Sequence, residues 1–409
     1  MSTTNNTGNG EETGRYLILL QEDSAAAALR TMARVAGVHA ASTADVTSYG
    51  AADSLSGADG LLLHDLGVAV VRAAHDQADA LLRATAEHGP LARVEPERVV
   101  RAYSAPPAEP GESGQDTTAG SAHSALAESP LTWGLRAIGA GSGTATGAGV
   151  RVAVLDTGFT VDHPDFAERE VETRSFVEGE DVGDGHGHGT HCIGTACGPR
   201  TPGEGPGYGV APGAEIYAGK VLSNAGTGTD GDILAGIAWA VSSGCAVVSL
   251  SLGSPTRPGE PHSETFETVA RRAMRRNTLI VAAAGNESDR AGGVLAPVSH
   301  PANCPSILAV GAVDASLAVA NFSCGTVDPN GAVDLVAPGV NVHSSWTLPE
   351  KYHSISGTSM ATPHVAGVAA LIAEKHGARG WELWARLGQS AHRLPLPSTD
   401  VGSGLVQAP

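Results

Sequence analysis

The sequence predicts an α/β protein, a parallel sheet flanked by helices, preceded by a small ferredoxin-like α+β module. Three observations carry this. From residue 150 onward, Val- and Ile-rich runs at 150–155, 215–218, 246–252, 278–284 and 307–313 alternate with helical stretches at 191–197 and 229–243. That is the pattern of strands covered on both faces by crossover helices. The first hundred residues read differently, as strand, helix, two strands, helix, strand. Between the two regions lies a run of Pro, Gly, Ser, Ala and acidic residues.

In chain order, residues 1–14 are polar and expected to be disordered. Residues 15–20 (Arg-Tyr-Leu-Ile-Leu-Leu) read as a strand, and 24–35 as an Ala-rich helix opened by Ser24. Short apolar runs at 61–63 and 68–71 follow, then a helix at 77–87 and a last strand at 92–101. The module is therefore placed at 15–103, and it holds no cluster of His, Cys or carboxylates. The segment 104–128 has the composition of an extended linker. The large domain is placed at 129–409, with a final buried helix at 360–375 whose first turn is expected to hold Pro363.

Composition excludes several classes. With 25 Lys and Arg against 43 Asp and Glu the net charge is −18, and no basic-aromatic patch is present, so nucleic acid is not an expected partner. Arg271, Arg272, Arg275 and Arg276 stand at helical spacing and read as a solvated helix face. No apolar run is long enough to span a bilayer. The polar start shows no signal-peptide pattern, which leaves three readings: residence in the cytoplasm, export by another route, or a true start that this sequence lacks. Five Cys without a CxxC pair argue against zinc-ribbon and thioredoxin chemistry and leave at least one thiol free; buried thiols and bridges both stay open, with thiols favoured in a cytoplasmic protein.

Four stretches carry chemistry. Asp156 ends the apolar run 152–155 before Thr157-Gly158, where a carboxylate is either a loop cap or a site residue. Asp184-Gly-His186-Gly-His188-Gly-Thr190-His191 offers imidazoles at metal-ligand spacing, but the usual acidic ligand between the later positions is missing. Its other reading is a general base at a helix start. Gly285-Asn286 follows the run 278–284, where Asn is a turn residue or a side-chain donor to an oxyanion. Ser359 stands before the last helix, where it either caps the helix or uses the unpaired N–H groups to stabilise a developing negative charge.

Taken together, these stretches resemble the subtilisin-like serine proteases. Val154-Leu-Asp156-Thr-Gly158, Gly187-His188-Gly-Thr-His191, Gly285-Asn286 and Gly357-Thr-Ser359-Met-Ala-Thr-Pro-His364 are similar to that family's Asp, His, oxyanion and Ser motifs, in its order. The resemblance covers about residues 130–409 and extends to Gly209-Val-Ala-Pro-Gly213, Lys220-Val-Leu222 and Ala337-Pro-Gly339.

The resemblance implies a subtilisin-like fold and peptide hydrolysis, with Ser359 as nucleophile, His188 as base, Asp156 orienting it, and Asn286 in the oxyanion hole. Protein or peptide substrate would lie extended between Gly226-Thr227-Gly228 and Ser251-Leu252-Gly253. Its side chain before the scissile bond would enter a roomy pocket lined by Ala283, Ala284 and Gly285, with Ser299 near the base and Glu287 at the rim. Broad specificity for large apolar residues is expected, with Glu287 admitting Lys or Arg. Cys192 would lie beneath the catalytic His. No cofactor is required. Asp165 matches a structural-calcium position, but the facing segment 198–208 lacks the Asn ligands expected there. The module resembles an inhibitory propeptide ending near Tyr103, and a monomer is expected. Two alternatives stand beside this: a narrow protease maturing one partner peptide, and an inactive binding protein on the same fold.

Overall fold

The computed structural model describes residues 13–44, 58–86, 89–103 and 130–409. Most of the start expected to be disordered, the expected linker at 104–128 and the last residue of the helix expected at 77–87 lie outside them.

The N-terminal module contains β1 (Arg15–Leu20), α1 (Ala25–Ala36), β2 (Ala40–Ser42), β3 (Gly60–Leu63), β4 (Val68–Arg72), α2 (His75–Thr85) and β5 (Leu91–Pro96). Its sheet runs β2-β3-β4-β1-β5. The edge strand β2 was not predicted, because three residues are too few to show a period. β1 is apolar from Leu17 to Leu20, where it is buried on both faces. Ile18 and Leu20 pack with Met32 and Leu81 inside the module, while Leu17 and Leu19 join the main core with Val68 and Val70.

The strand expected at 92–101 is two strands. After β5 the chain breaks at 97–98, and β6 (Val99–Ala102) leaves the module altogether. The break has a physical cause: the Glu97 carboxylate is drawn to Arg15 at 2.6 Å and to the Gly231 N–H at 2.9 Å. Gly231 opens a helix of the large domain, where unpaired N–H groups attract a carboxylate.

The large domain begins with α3 (Trp133–Ala137) and then supplies β7 (Arg151–Asp156), β8 (Val171–Ser175), α4 (His188–Cys197), β9 (Glu215–Lys220), β10 (Thr227–Thr229), α5 (Asp230–Ser242), β11 (Val247–Leu250), β12 (Leu252–Gly253), α6 (Glu264–Arg275), β13 (Leu279–Ala283), β14 (Leu308–Val313) and β15 (Leu335–Pro338). A hairpin, β16 (Val342–Ser345) and β17 (Tyr352–Ile355), precedes α7 (Thr358–His376) and α8 (Gly380–Ser390). The main sheet has the order β15-β14-β13-β11-β7-β9-β8, and its strands pair in parallel. The run expected as one strand at 246–252 divides at Ser251. β11 stays in this sheet, whereas β12 turns out to pair with β6.

α7 passes through the core, buried from Thr358 to Ala373, which explains why its sequence has no polar face. Its small residues permit close packing on α4. A side chain at Gly367 would stand 2.9 Å from the Ala196 carbonyl oxygen of α4 and 2.5 Å from Val210 Cβ. The helix starts two residues earlier than expected, so Pro363 sits in its second turn. There the missing Pro N–H leaves the Ser359 carbonyl without its helical partner. That carbonyl accepts instead from the Ser251 hydroxyl at 2.8 Å and from the Cys192 thiol at 3.5 Å.

Of the four Arg residues expected to form a solvated helix face, Arg271 remains one, half exposed and paired with Glu267, whereas the other three reach the module. Arg272 donates to the carbonyls of Leu20, Leu66 and Gly67, Arg275 pairs with Glu22, and Arg276 pairs with Asp65, all in the module. All five Cys are buried free thiols. Among the described residues, no helix is long and apolar enough to cross a membrane.

Candidate active site

Asp156, at the carboxyl end of β7, accepts at 2.7 Å from the Nδ1 of His188, the first residue of α4. Both side chains are about 1 % exposed. Burial alone would lower the imidazole pKa, but the adjacent carboxylate outweighs it and holds His188 well above its ordinary value. His188 Nε2 is buried and unpartnered among the described residues, which leaves it free to face a reacting hydroxyl.

The loop before His188 is built on Asp184, whose role sequence reasoning missed. Its carboxylate accepts from the N–H groups of His186, Gly187 and Thr190 and from the Thr157 and Thr190 hydroxyls. Burial works against its charge, yet these donors hold its pKa below the usual carboxylate value. An Asp four residues before a helix start, followed by Gly, was the signal that could have found it. The metal reading of the three imidazoles fails geometrically. His191 Nε2 is spent on the Val342 carbonyl, and among the described residues the ligand-type atoms that converge belong to Asp156, His188 and Cys192. The Cys192 sulfur lies 3.9 Å from His188 Nδ1.

Ser359 lies in the first turn of α7, with Gly357 rather than Ser359 at the cap position. Its hydroxyl donates to the Ser251 carbonyl at 3.0 Å. Asn286 is held by its oxygen, which accepts from the Thr358 N–H and hydroxyl at 2.9 and 2.8 Å. Its Nδ2 is consequently turned outward, buried and unpartnered among the described residues. A free amide donor beside the N-terminus of α7 suits an oxyanion.

The two expected groove edges enclose β6. Thr227 and Gly228 pair antiparallel with Arg101 and Val100, and the Gly226 carbonyl accepts the Ala102 N–H at 3.0 Å. On the other side Leu252 and Gly253 pair with Ala102 and Arg101. The ring of Tyr103 is buried beyond them. It passes so close to Gly253 that a side chain there would meet its Cε2 at 2.8 Å.

Ala283 and Ala284 are fully buried. Glu287 and Ser299, expected at opposite ends of the pocket, meet instead. The Ser299 hydroxyl donates to the Glu287 carboxylate at 2.9 Å, and the Cys324 thiol does so at 3.2 Å. Both carboxylate and hydroxyl lie against Gly285. Burial and the nearby Glu287 push the Tyr103 phenol well above its ordinary pKa. Cys324 carried no sequence signal, because its neighbours in the pocket come from distant segments.

Asp165 lies apart from this centre. One carboxylate oxygen accepts from the Tyr208 and Tyr352 hydroxyls at 2.7 and 3.0 Å, and the other from the Gly203 N–H at 3.2 Å. Its oxygens face donors, and a calcium ion would need them to face an ion shared with other oxygens. The residues present do not fit a calcium ion at Asp165, the weak candidate position of the sequence.

Comparison with known proteins agrees with the large domain. A model described as the Subtilase family matches residues 147–391. Subtilisin Savinase of Lederbergia lenta is 43 % identical over 270 residues, covering 64 % of this chain and 90 % of that protein. An alkaline protease of Alkalihalobacillus alcalophilus is also 43 % identical over 270 residues, 64 % of each chain. Subtilisin E of Bacillus subtilis strain 168 is 43 % identical over 262 residues, covering 63 % of this chain and 62 % of its own. The match thus spans just under two thirds of the latter two proteins.

Proposed function

Because the chain belongs to the subtilase family of serine endopeptidases, we propose that Asp156, His188 and Ser359 are its catalytic triad and that residues 15–103 hold it closed as a precursor. One observation carries this reading: the module's own tail, β6, lies between β10 and β12 as a substrate strand would, with Tyr103 filling the pocket behind it.

The chemistry follows from the geometry. Ser359 Oγ attacks the carbonyl carbon of the residue in the pocket and passes its proton to His188 Nε2, and Asp156 stabilises the imidazolium. The negative carbonyl oxygen is met by Asn286 Nδ2 and the Ser359 N–H. His188 then protonates the leaving amine, and water repeats the sequence on the acyl-enzyme. In the closed precursor the Ser359 hydroxyl donates to Ser251 rather than to His188, so the nucleophile is at rest.

Main-chain pairing along both groove edges demands little of the substrate's sequence. Specificity then falls to the pocket, whose small walls suit large apolar residues and whose Glu287 carboxylate also favours Lys or Arg. A fluorophosphonate probe should label the processed enzyme, and Ser359→Ala should abolish the label. Asn286→Ala should lower kcat on casein by about 10²–10³ with little change in KM. Labelling that survives in Ser359→Ala would assign the nucleophile elsewhere.

A further inference from the structure

We propose that Asp165, Tyr208 and Tyr352 form a metal-free knot that anchors the helix carrying His188, at the position that the family resemblance marks as a weak structural-calcium candidate. The inference rests on the hydrogen bonds at Asp165 and is independent of the roles proposed for Ser359 and the module.

Both phenols donate to the same oxygen of Asp165, and the second oxygen takes the Gly203 N–H. Calcium is held by six to eight oxygen ligands, mostly carboxylate and carbonyl. Here the facing segment contributes a phenol and a backbone N–H instead. Its own acid, Glu204, is committed to Lys351 Nζ at 2.7 Å. The rings close the space that an ion and its waters would use: Tyr352 stacks on His343 at 5.6 Å and meets His163 and Tyr208 edge-on at 5.6 and 6.1 Å. His163 is itself fixed, accepting the Asp165 N–H on Nδ1 and donating from Nε2 to the Lys351 carbonyl at 2.8 Å. Burial and the Asp165 charge push both phenols above their ordinary pKa, so they remain donors into alkaline solution.

The knot joins the two segments that grip α4. Tyr352 begins β17, whose hairpin partner β16 ends in Ser344 and Ser345. Their hydroxyls donate to the His191 and Thr190 carbonyls in the first turn of α4. Tyr208 presses its ring on the other end of the helix, where side chains at Gly194 or Gly198 would meet its Cε2 at 3.0 or 2.3 Å. A crosslink between these segments therefore holds both ends of α4. In this chain a carboxylate and two phenols make that crosslink without an ion.

The test is thermal unfolding of the full chain carrying Ser359→Ala, which prevents self-digestion, in EDTA and in millimolar calcium. Equal midpoints are expected in the two buffers. Tyr352→Phe and Asp165→Asn should each lower the midpoint by about 2–6 °C, and calcium should restore neither. A calcium-dependent rise that Asp165→Asn abolishes would overturn the proposal, and so would Tyr352→Phe and Asp165→Asn variants that unfold with the parent. A rise that persists in Asp165→Asn places calcium elsewhere and supports the knot. If Asp165→Asn does not fold, Tyr352→Phe, which removes one hydroxyl from an exposed-edge strand, decides the matter alone.

Discussion

The Tyr103 N–H stands 3.5 Å from the Ser251 carbonyl oxygen, the same atom that accepts the Ser359 hydroxyl at 3.0 Å. The end of the module and the candidate nucleophile therefore share one acceptor. Gly357 is bordered on the same side by the Tyr103 carbonyl oxygen and by Asn286 Nδ2, at 2.8 and 3.2 Å from where a Cβ would stand. Tyr103 is thus the residue whose carbonyl lies on the same side of Gly357 as Asn286, the proposed oxyanion donor.

Self-cleavage should accordingly fall after Tyr103. Intact mass of the purified protein over time should show the full chain giving way to a fragment ending at Tyr103, while Ser359→Ala stays whole. A wild-type chain that also stays whole would remove the precursor reading.

Arg272 should control how tightly the cleaved module remains bound. It reaches three carbonyls of the module from α6, and hydrogen bonds from a charged group contribute about 1.5–3 kcal/mol. Arg272→Ala should weaken retention by about 10–100-fold and shorten the lag before casein is hydrolysed. Arg271, half exposed and paired within its own helix to Glu267, is the control. Equal lags for Arg271→Ala and Arg272→Ala would show that the carbonyl contacts contribute nothing.

Acid should destabilise the fold before the active-site pair does. Burial lowers His191 to about 3 and His364 to about 4. Unfolded, both take a proton near pH 6.5, so falling pH favours the unfolded chain by about 1.4 kcal/mol per pH unit and group until the folded values are reached. His188 has the opposite sign. Its raised pKa contributes stability that is complete below pH 6.5 and lost as pH rises through the folded value. Urea unfolding of the Ser359→Ala chain should show stability falling between about pH 6.5 and 4. His364→Gln should remove about one proton from that slope, and an unchanged slope would contradict its burial as the neutral form.

Much of the candidate site was legible because its chemistry is written locally. Asp156 and Asn286 each end an apolar run, His188 stands between two Gly residues and Ser359 just before an apolar helix, all in Gly-containing stretches short enough to read without knowing the fold. The alternation of strands and helices was legible for the same reason, since burial on both faces leaves uninterrupted Val and Ile. Edge strands such as β8 and β2 were not, because half-exposed or very short segments carry no such pattern.

What the sequence by itself determined, then, is the residue types at the centre and the parallel sheet that carries them. The tertiary structure alone decided how they are held and covered. Ser251 ends one sheet and begins another only because β6 arrives from the module. The Ser359 carbonyl is held by Ser251 and Cys192 only because Pro363 cannot pair with it. Asp165 meets two phenols from segments 43 and 187 residues away. Each of these depends on an acceptor or donor supplied by a distant stretch, and a local pattern cannot name a partner that the chain must fold to find.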